Sequence, residues 1–177
     1  MTVDEFLTWE REQPERHELI AGEIFGMVGA SLAHGRIVFN LAKLLDRACA
    51  AGPCAVFLDG AKLRVEGNVF YPDVMVSCED HDIEGDSLGA PVLIAEVLSG
   101  STELRDRGVK WGTYQKLAAL ETYVLVAQEQ MSVEVFRRRG ATWTYASFVG
   151  ADASIELERP ACRLRVGDLY AGIRGRR

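Results

Sequence analysis

An α/β fold of the mixed α+β kind, a mixed sheet flanked by helices behind an N-terminal helix and hairpin, is predicted by three features of the sequence. Two runs, 69–77 and 92–98, are apolar on both faces and need cover on both. Ile37, Val38, Leu41, Leu44, Leu45 and Ala48 follow the 3.6-residue period of one amphipathic helix. Short alternating runs between glycine turns supply further strands. A length of 177 residues with 48% hydrophobic content suits one domain, 1–177, with its own core.

Thr2 with Glu5 makes a capping box, and Val3, Phe6 and Leu7 share one face, so a short first helix ends before Pro14. His17-Glu18-Leu19-Ile20 and Glu23-Ile24-Phe25-Gly26-Met27-Val28 flank Ala21-Gly22 and read as a hairpin. Ser31 caps the long helix, Lys43, Asp46 and Arg47 occupy its wet face, and Gly52-Pro53 stops it. Strands follow at 54–58 and, after an Asp59-Gly60 turn, at 61–65, where Lys62, Arg64 and Glu66 form the wet side. Gly67-Asn68 reads as a two-residue turn into one central strand, 69–77. Beyond the loop 78–90, a strand at 92–98 leads through Ser99-Gly100-Ser101-Thr102 into a helix predicted to reach about Ala119. A strand at 122–127, a hairpin of 133–138 with 142–148 around Gly140, and a terminal strand with a turn of helix complete the chain.

The net charge of −6 argues against a protein that coats nucleic acid non-specifically, but leaves room for a local basic patch. Acid gathers in one loop, at Glu79, Asp80, Asp82, Glu84 and Asp86. The start is acidic with no apolar run after it, and no stretch approaches the ~20 apolar residues of a membrane helix. A cytoplasmic address without a membrane partner is expected. Cys49, Cys54, Cys78 and Cys162 lack a C-x-x-C spacing, so reduced, partly buried thiols are expected.

Asp73 and Glu96 interrupt the two doubly apolar runs. Burying an ionised carboxylate costs several kcal/mol without a partner. Two of them about 4 Å apart repel by roughly 4 kcal/mol at an effective dielectric near 20. A divalent metal or a lysine between them offsets this. Hard carboxylate oxygens suit Mg²⁺ or Mn²⁺, one or two ions, which keep several waters; the Glu96 strand can add a backbone carbonyl. Such an ion polarises a phosphoryl oxygen and acidifies a bound water, while a nearby lysine neutralises developing charge. Lys110 is the candidate lysine, because it shares a helical face with Asp106 and Thr102. The plainer reading of Lys110 and Asp106 is a surface ion pair.

Tyr71-Pro72-Asp73, then Ile94-Ala95-Glu96-Val97-Leu98-Ser99-Gly100-Ser101-Thr102, then Asp106-Arg107-Gly108-Val109-Lys110 with Tyr114, resemble the Uma2 family of the PD-(D/E)XK nuclease superfamily. The segment from His17 to Ile24 resembles that family's N-terminal hairpin, and His34 matches a histidine near the start of its main helix. The resemblance implies a restriction-endonuclease-like fold and a metal-dependent endonuclease acting on nucleic acid, DNA favoured. The superfamily pattern sets a lysine two residues after the glutamate; here that residue is Leu98. The lysine can migrate to the adjacent helix, which fits Lys110, with Lys62 as a competitor. Without a lysine in reach, the chain would be a non-catalytic nucleic-acid or partner-binding module.

Glu23, with Glu18 behind it, is a candidate third carboxylate, and His34 a candidate phosphate or water contact. The alternatives are a solvated hairpin residue and a core or capping histidine. His81 is a weaker metal candidate in a wet loop. Arg137, Arg138 and Arg139, followed by Trp143 and Tyr145, form a basic-aromatic cluster able to grip phosphates and stack bases, or a solvated hairpin tip. Arg174, Arg176 and Arg177 read as a tail. The exposed hairpins are candidate pairing surfaces, and a homodimer is the expected assembly.

Overall fold

The computed structural model describes residues 1–27, 29–58, 60–80, 84–100 and 103–173. The expectations for Asp59, His81, Asp82, Thr102, Arg174, Arg176 and Arg177 lie outside them. In chain order the elements begin with α1 (Val3–Glu10), β1 (His17–Ile20), β2 (Glu23–Gly26), α2 (Leu32–Cys49), β3 (Ala55–Leu58), β4 (Lys62–Val65) and β5 (Asn68–Phe70). Then come β6 (Val74–Ser77), β7 (Ser87–Leu88), β8 (Leu93–Leu98), α3 (Glu103–Arg105), a π-helical turn (Asp106–Lys110) and α4 (Trp111–Tyr114). The chain continues through β9 (Thr122–Ala127), β10 (Ser132–Arg139), β11 (Thr142–Val149), β12 (Ser154–Glu158), β13 (Ala161–Arg165) and α5 (Val166–Leu169).

Both helix caps form as the side chains dictate. Glu5 N donates to Thr2 Oγ1 and Thr2 N to Glu5 Oε2, and His34 N donates to Ser31 Oγ at 3.0 Å. The first hairpin turns through Ala21 and Gly22, with φ of 52° and 84°. Two successive positive φ values match the twist of the flanking strands. One sheet runs β2-β1-β5-β4-β7 and another β11-β10-β9-β8-β6-β3, with β12-β13 a separate hairpin. The larger sheet is mixed: β8 and β9 pair in parallel, while β6 with β8 and β9 with β10 pair antiparallel.

Alternation on the central strands decides which element covers which face. Val74, Val76, Leu93, Ala95 and Val97 pack with Ile37, Leu41 and Leu45 of α2. Met75, Ile94, Leu98 and Leu125 pack on the other side with Phe70, Tyr114 and Leu117. No helix among the described residues is long and apolar enough to cross a membrane.

Four expectations need correction. The run 69–77 is two strands, β5 in the smaller sheet and β6 in the larger. Pro72 cannot donate to a ladder, and Tyr71-Pro72-Asp73 carries the chain from one sheet to the other. The turn before β5 is Glu66-Gly67, with φ of 47° and 77°, one residue earlier than expected. The helix after β8 ends at Tyr114 instead of near Ala119. Arg138 explains that stop: its guanidinium donates to the carbonyl oxygens of Gln115, Leu117 and Leu120 at 2.7–2.8 Å. Finally, Cys54 and Cys78 form a disulfide just beyond the Ala55–Ser77 pair of β3 and β6, whereas Cys49 and Cys162 are free thiols.

Candidate functional site

The antiparallel register of β6 and β8 sets Val74 opposite Ala95, which brings Asp73 level with Glu96. Asp73 stands just before its strand, where its backbone N–H lies 3.4 Å from Glu96 Oε2. Its carboxylate is held at both oxygens. Oδ2 accepts from Val97 N at 2.6 Å, and Oδ1 lies 3.0 Å from His34 Nε2 at the first turn of α2. The cap on Ser31 thus does more than start a helix: it sets the imidazole against the acid.

Glu96 Oε1 accepts from Lys110 Nζ and from Tyr114 Oη, each at 3.1 Å. The π-helical turn places Lys110. Its wider i→i+5 pattern carries the bond from Trp111 N to Asp106 O and turns both Asp106 and Lys110 inward; such turns are common at functional sites. Lys110 Nζ also lies 3.1 Å from Glu18 Oε1 and 3.2 Å from Asp106 Oδ1. Glu18 and Glu96 are each 3% exposed, Asp106 2% and Lys110 5%. Arg105 stands at 3.6 Å from the second oxygen of Glu18. Together they line a cleft of about 700 Å³ that opens past Ser31, Ser99 and Gln128.

Burial pushes Glu96 well above the usual carboxylate range; Lys110 opposes this, and the charges of Asp73, Asp106 and Glu18 add to it. For Lys110, burial alone would lower the pKa, but Glu96, Glu18 and Asp106 together outweigh it and hold the ammonium above its ordinary value. Tyr114 keeps its proton, first through burial and then through the adjacent Glu96 charge, and so acts as a donor.

The charges do not balance. Four acids, Asp73, Glu96, Glu18 and Asp106, face two cations, Lys110 and Arg105, and this excess of acid is part of what pushes Glu96 upward. Asp106 Oδ1 is buried without a hydrogen bond, since its approach to Lys110 lacks hydrogen-bond geometry. No group of three His, Cys, Asp or Glu among the described residues forms a cage for a metal ion. A pair of hard carboxylates with excess negative charge in a roomy cleft fits Mg²⁺ or Mn²⁺, which use one or two protein carboxylates and retain water.

The other candidates scatter. Glu23 is exposed beside the hairpin turn, and Glu18, one strand away, is the hairpin acid that enters the cluster. Lys62 on β4 is bound to Asp86 Oδ2 at 2.7 Å and does not line the cleft. Arg137 donates to Glu156 O, Arg139 pairs with Glu158, and Arg138 binds three carbonyls while its guanidinium lies 4.5 Å from the Trp143 ring centroid. Arg138 is thus held by the backbone beneath it, while Arg137 and Arg139 make exposed contacts to β12. Tyr114, which the sequence offers only through the family resemblance, gains its role as a donor to Glu96 because the π-helical turn sets its phase, and Arg105 joins the site without a signal in the sequence.

The arrangement can be compared with known proteins. A crystal structure from Anabaena variabilis, described as "a putative nuclease belonging to DUF820", superposes with a TM-score of 0.74 at 20% identity, covering 97% of this chain and 98% of that one. The two share the fold. An uncharacterized Synechocystis protein, sll1609, is 35% identical over 162 residues, 88% of this chain and 92% of its own. A second from the same organism, slr1290, is 29% identical over 177 residues, 98% of this chain and 93% of its own. The model of the Uma2 family, described as "Putative restriction endonuclease", matches residues 3–165, and the chain belongs to that family.

Proposed function

We propose that this chain is a metal-dependent endonuclease that hydrolyses phosphodiester bonds of nucleic acid, DNA favoured, with Mg²⁺ or Mn²⁺ at Asp73 and Glu96. One observation carries the reading: two carboxylates level on neighbouring strands, with Lys110 against one of them, in a cleft that has more acid than base. The descriptions of the family and of the Anabaena structure support it.

A bound divalent ion would supply Lewis acidity toward a phosphoryl oxygen and a more acidic water. The chain's own residues do the rest. His34 and Val97 N fix the rotamer of Asp73. Lys110 and Tyr114 share Oε1 of Glu96, and among the described residues Oε2 has only the 3.4 Å approach of Asp73 N, which leaves it able to serve as a ligand. Lys110 is placed to neutralise charge that develops on the phosphoryl group. β11, an edge strand without a charged residue between Thr142 and Val149, offers unpaired backbone to a second copy, which supports a homodimer.

A second reading, a nucleic-acid-binding module without turnover, is favoured by a different observation. Three carboxylate oxygens stand within 3.1–3.2 Å of Lys110 Nζ, and Glu96 Oε1 accepts one of its N–H bonds, so the ammonium is held against the protein's own acids. Plasmid incubated with Mn²⁺ separates the two readings. Cleavage by the wild type that is lost in Asp73→Ala and with EDTA supports the nuclease; retention of DNA without cleavage supports the module. Equal cleavage by wild type and Asp73→Ala would exclude the proposed site.

A further inference from the structure

We propose that Arg105 binds the phosphodiester backbone of the substrate beside the Asp73–Glu96 pair. The inference rests on the nuclease reading above. Arg107 forks onto Glu134 and reaches Glu103, Arg139 pairs with Glu158, Arg165 with Asp152, and Arg138 serves three carbonyls. These guanidiniums are committed to the protein.

Arg105 is not. Its ion pair runs from Nη1 to Glu18 Oε2 at 3.6 Å, beyond hydrogen-bond distance. Its guanidinium lies 4.7 Å from the centroid of the Phe25 ring, a contact that fixes the group without consuming an N–H. The side chain is 31% exposed and lines the same cleft as Asp73, Glu96 and Lys110. An arginine that is oriented, charged and without a hydrogen-bonded acid, in a cleft it shares with Lys110 and Arg16, is suited to an anion with two oxygens in one plane. Phosphate diester offers that pattern, and guanidinium matches it bidentately where ammonium does not. Glu18 then acts as a tether: it keeps Arg105 from swinging to solvent, at a distance that leaves the donors available.

The test uses the full-length protein, a fluorescent oligonucleotide duplex, and Ca²⁺ in place of Mn²⁺ for binding measurements. Arg105→Gln is expected to weaken duplex binding by roughly 10- to 100-fold, the effect of one charge-assisted contact. It should also reduce the slope of log affinity against log salt by about 0.9, the signature of one lost phosphate contact on duplex DNA. Arg105→Lys should restore the salt slope but only part of the affinity. Mn²⁺ affinity, measured by calorimetry without DNA, should persist in both variants, which shows that the metal site is intact. Wild-type affinity and salt slope in Arg105→Gln would overturn the proposal and leave the nuclease reading standing. Failure of the wild type itself to bind DNA, with Mn²⁺ bound, would overturn both.

Discussion

Replacing Lys110 by methionine tests the electrostatics of the cleft, because most of the apolar stem is kept while the charged, hydrogen-bonding ammonium is lost. Three carboxylates stand 3.1–3.2 Å from Nζ. Each pair is worth roughly 5 kcal/mol at an effective dielectric near 20, a gross figure that the desolvation of each ion largely offsets. Removing the ammonium keeps the desolvation and deletes the compensation, so the expected loss of stability is about 3–5 kcal/mol. The loss should depend on pH. Lys110 holds its proton above its ordinary value, so in the wild type its contribution is fully present below about pH 10 and is lost only as pH rises through the folded-state value. Without it, burial and the neighbouring acids act on Glu96 unopposed, so Glu96 binds its proton more tightly folded than unfolded. Stability of Lys110→Met should then fall as pH rises from 5.5 to 8, by up to about 1.4 kcal/mol per unit for each proton released. Urea unfolding followed by far-UV circular dichroism at the two pH values reads both effects, and adding Glu96→Gln should recover part of the loss. A variant as stable as the wild type at pH 8 would refute the buried cluster.

The remaining predictions concern the supports of the site. Tyr114→Phe removes a donor from Glu96 Oε1 and should cost about 1–3 kcal/mol in thermal or urea unfolding. Since that donor favours the ionised carboxylate, its loss should also move the acid limb of the pH–rate profile to higher pH. Arg138→Ala strips three carbonyls of their donor and should destabilise by roughly 2–4 kcal/mol, while oligonucleotide affinity stays within about twofold. Affinity that collapses with stability unchanged would return the hairpin arginines to the interface. Lys62 holds Asp86 at about 2, so that pair contributes above the ordinary carboxylate value and fades as pH falls from 4 toward 2. Asp86 is half exposed, and screening keeps the contribution under about 1 kcal/mol. Lys62→Met should flatten that stretch of an acid-unfolding curve.

What the sequence disclosed and what it hid divide along a physical line. The caps at Thr2 and Ser31, the first hairpin and the strand Thr122–Ala127 rest on local chemistry, and they appear where the side chains place them. Asp73 and Glu96 are readable as anomalies, since a charge in an apolar run has to find a partner, and Lys110 is readable from its spacing to Asp106. The failures involve information that is not local. Nothing in 69–77 except Pro72 shows that the run changes sheets. The helix stop at Tyr114 is enforced by Arg138, far along the chain. Cys54 and Cys78, 24 residues apart, meet only because β3 pairs with β6. The sequence favours Glu23 over Glu18, yet both lie in the same hairpin, and pairing alone decides that Glu18 is the acid in the cleft.

Crystals grown with Mn²⁺ and recorded at a wavelength where manganese scatters anomalously address the central claim. The account predicts one peak, with oxygens of Asp73 and Glu96 at roughly 2.0–2.3 Å, and Lys110 still beside Glu96. An absent peak at millimolar Mn²⁺, or one bound away from both carboxylates, would contradict it.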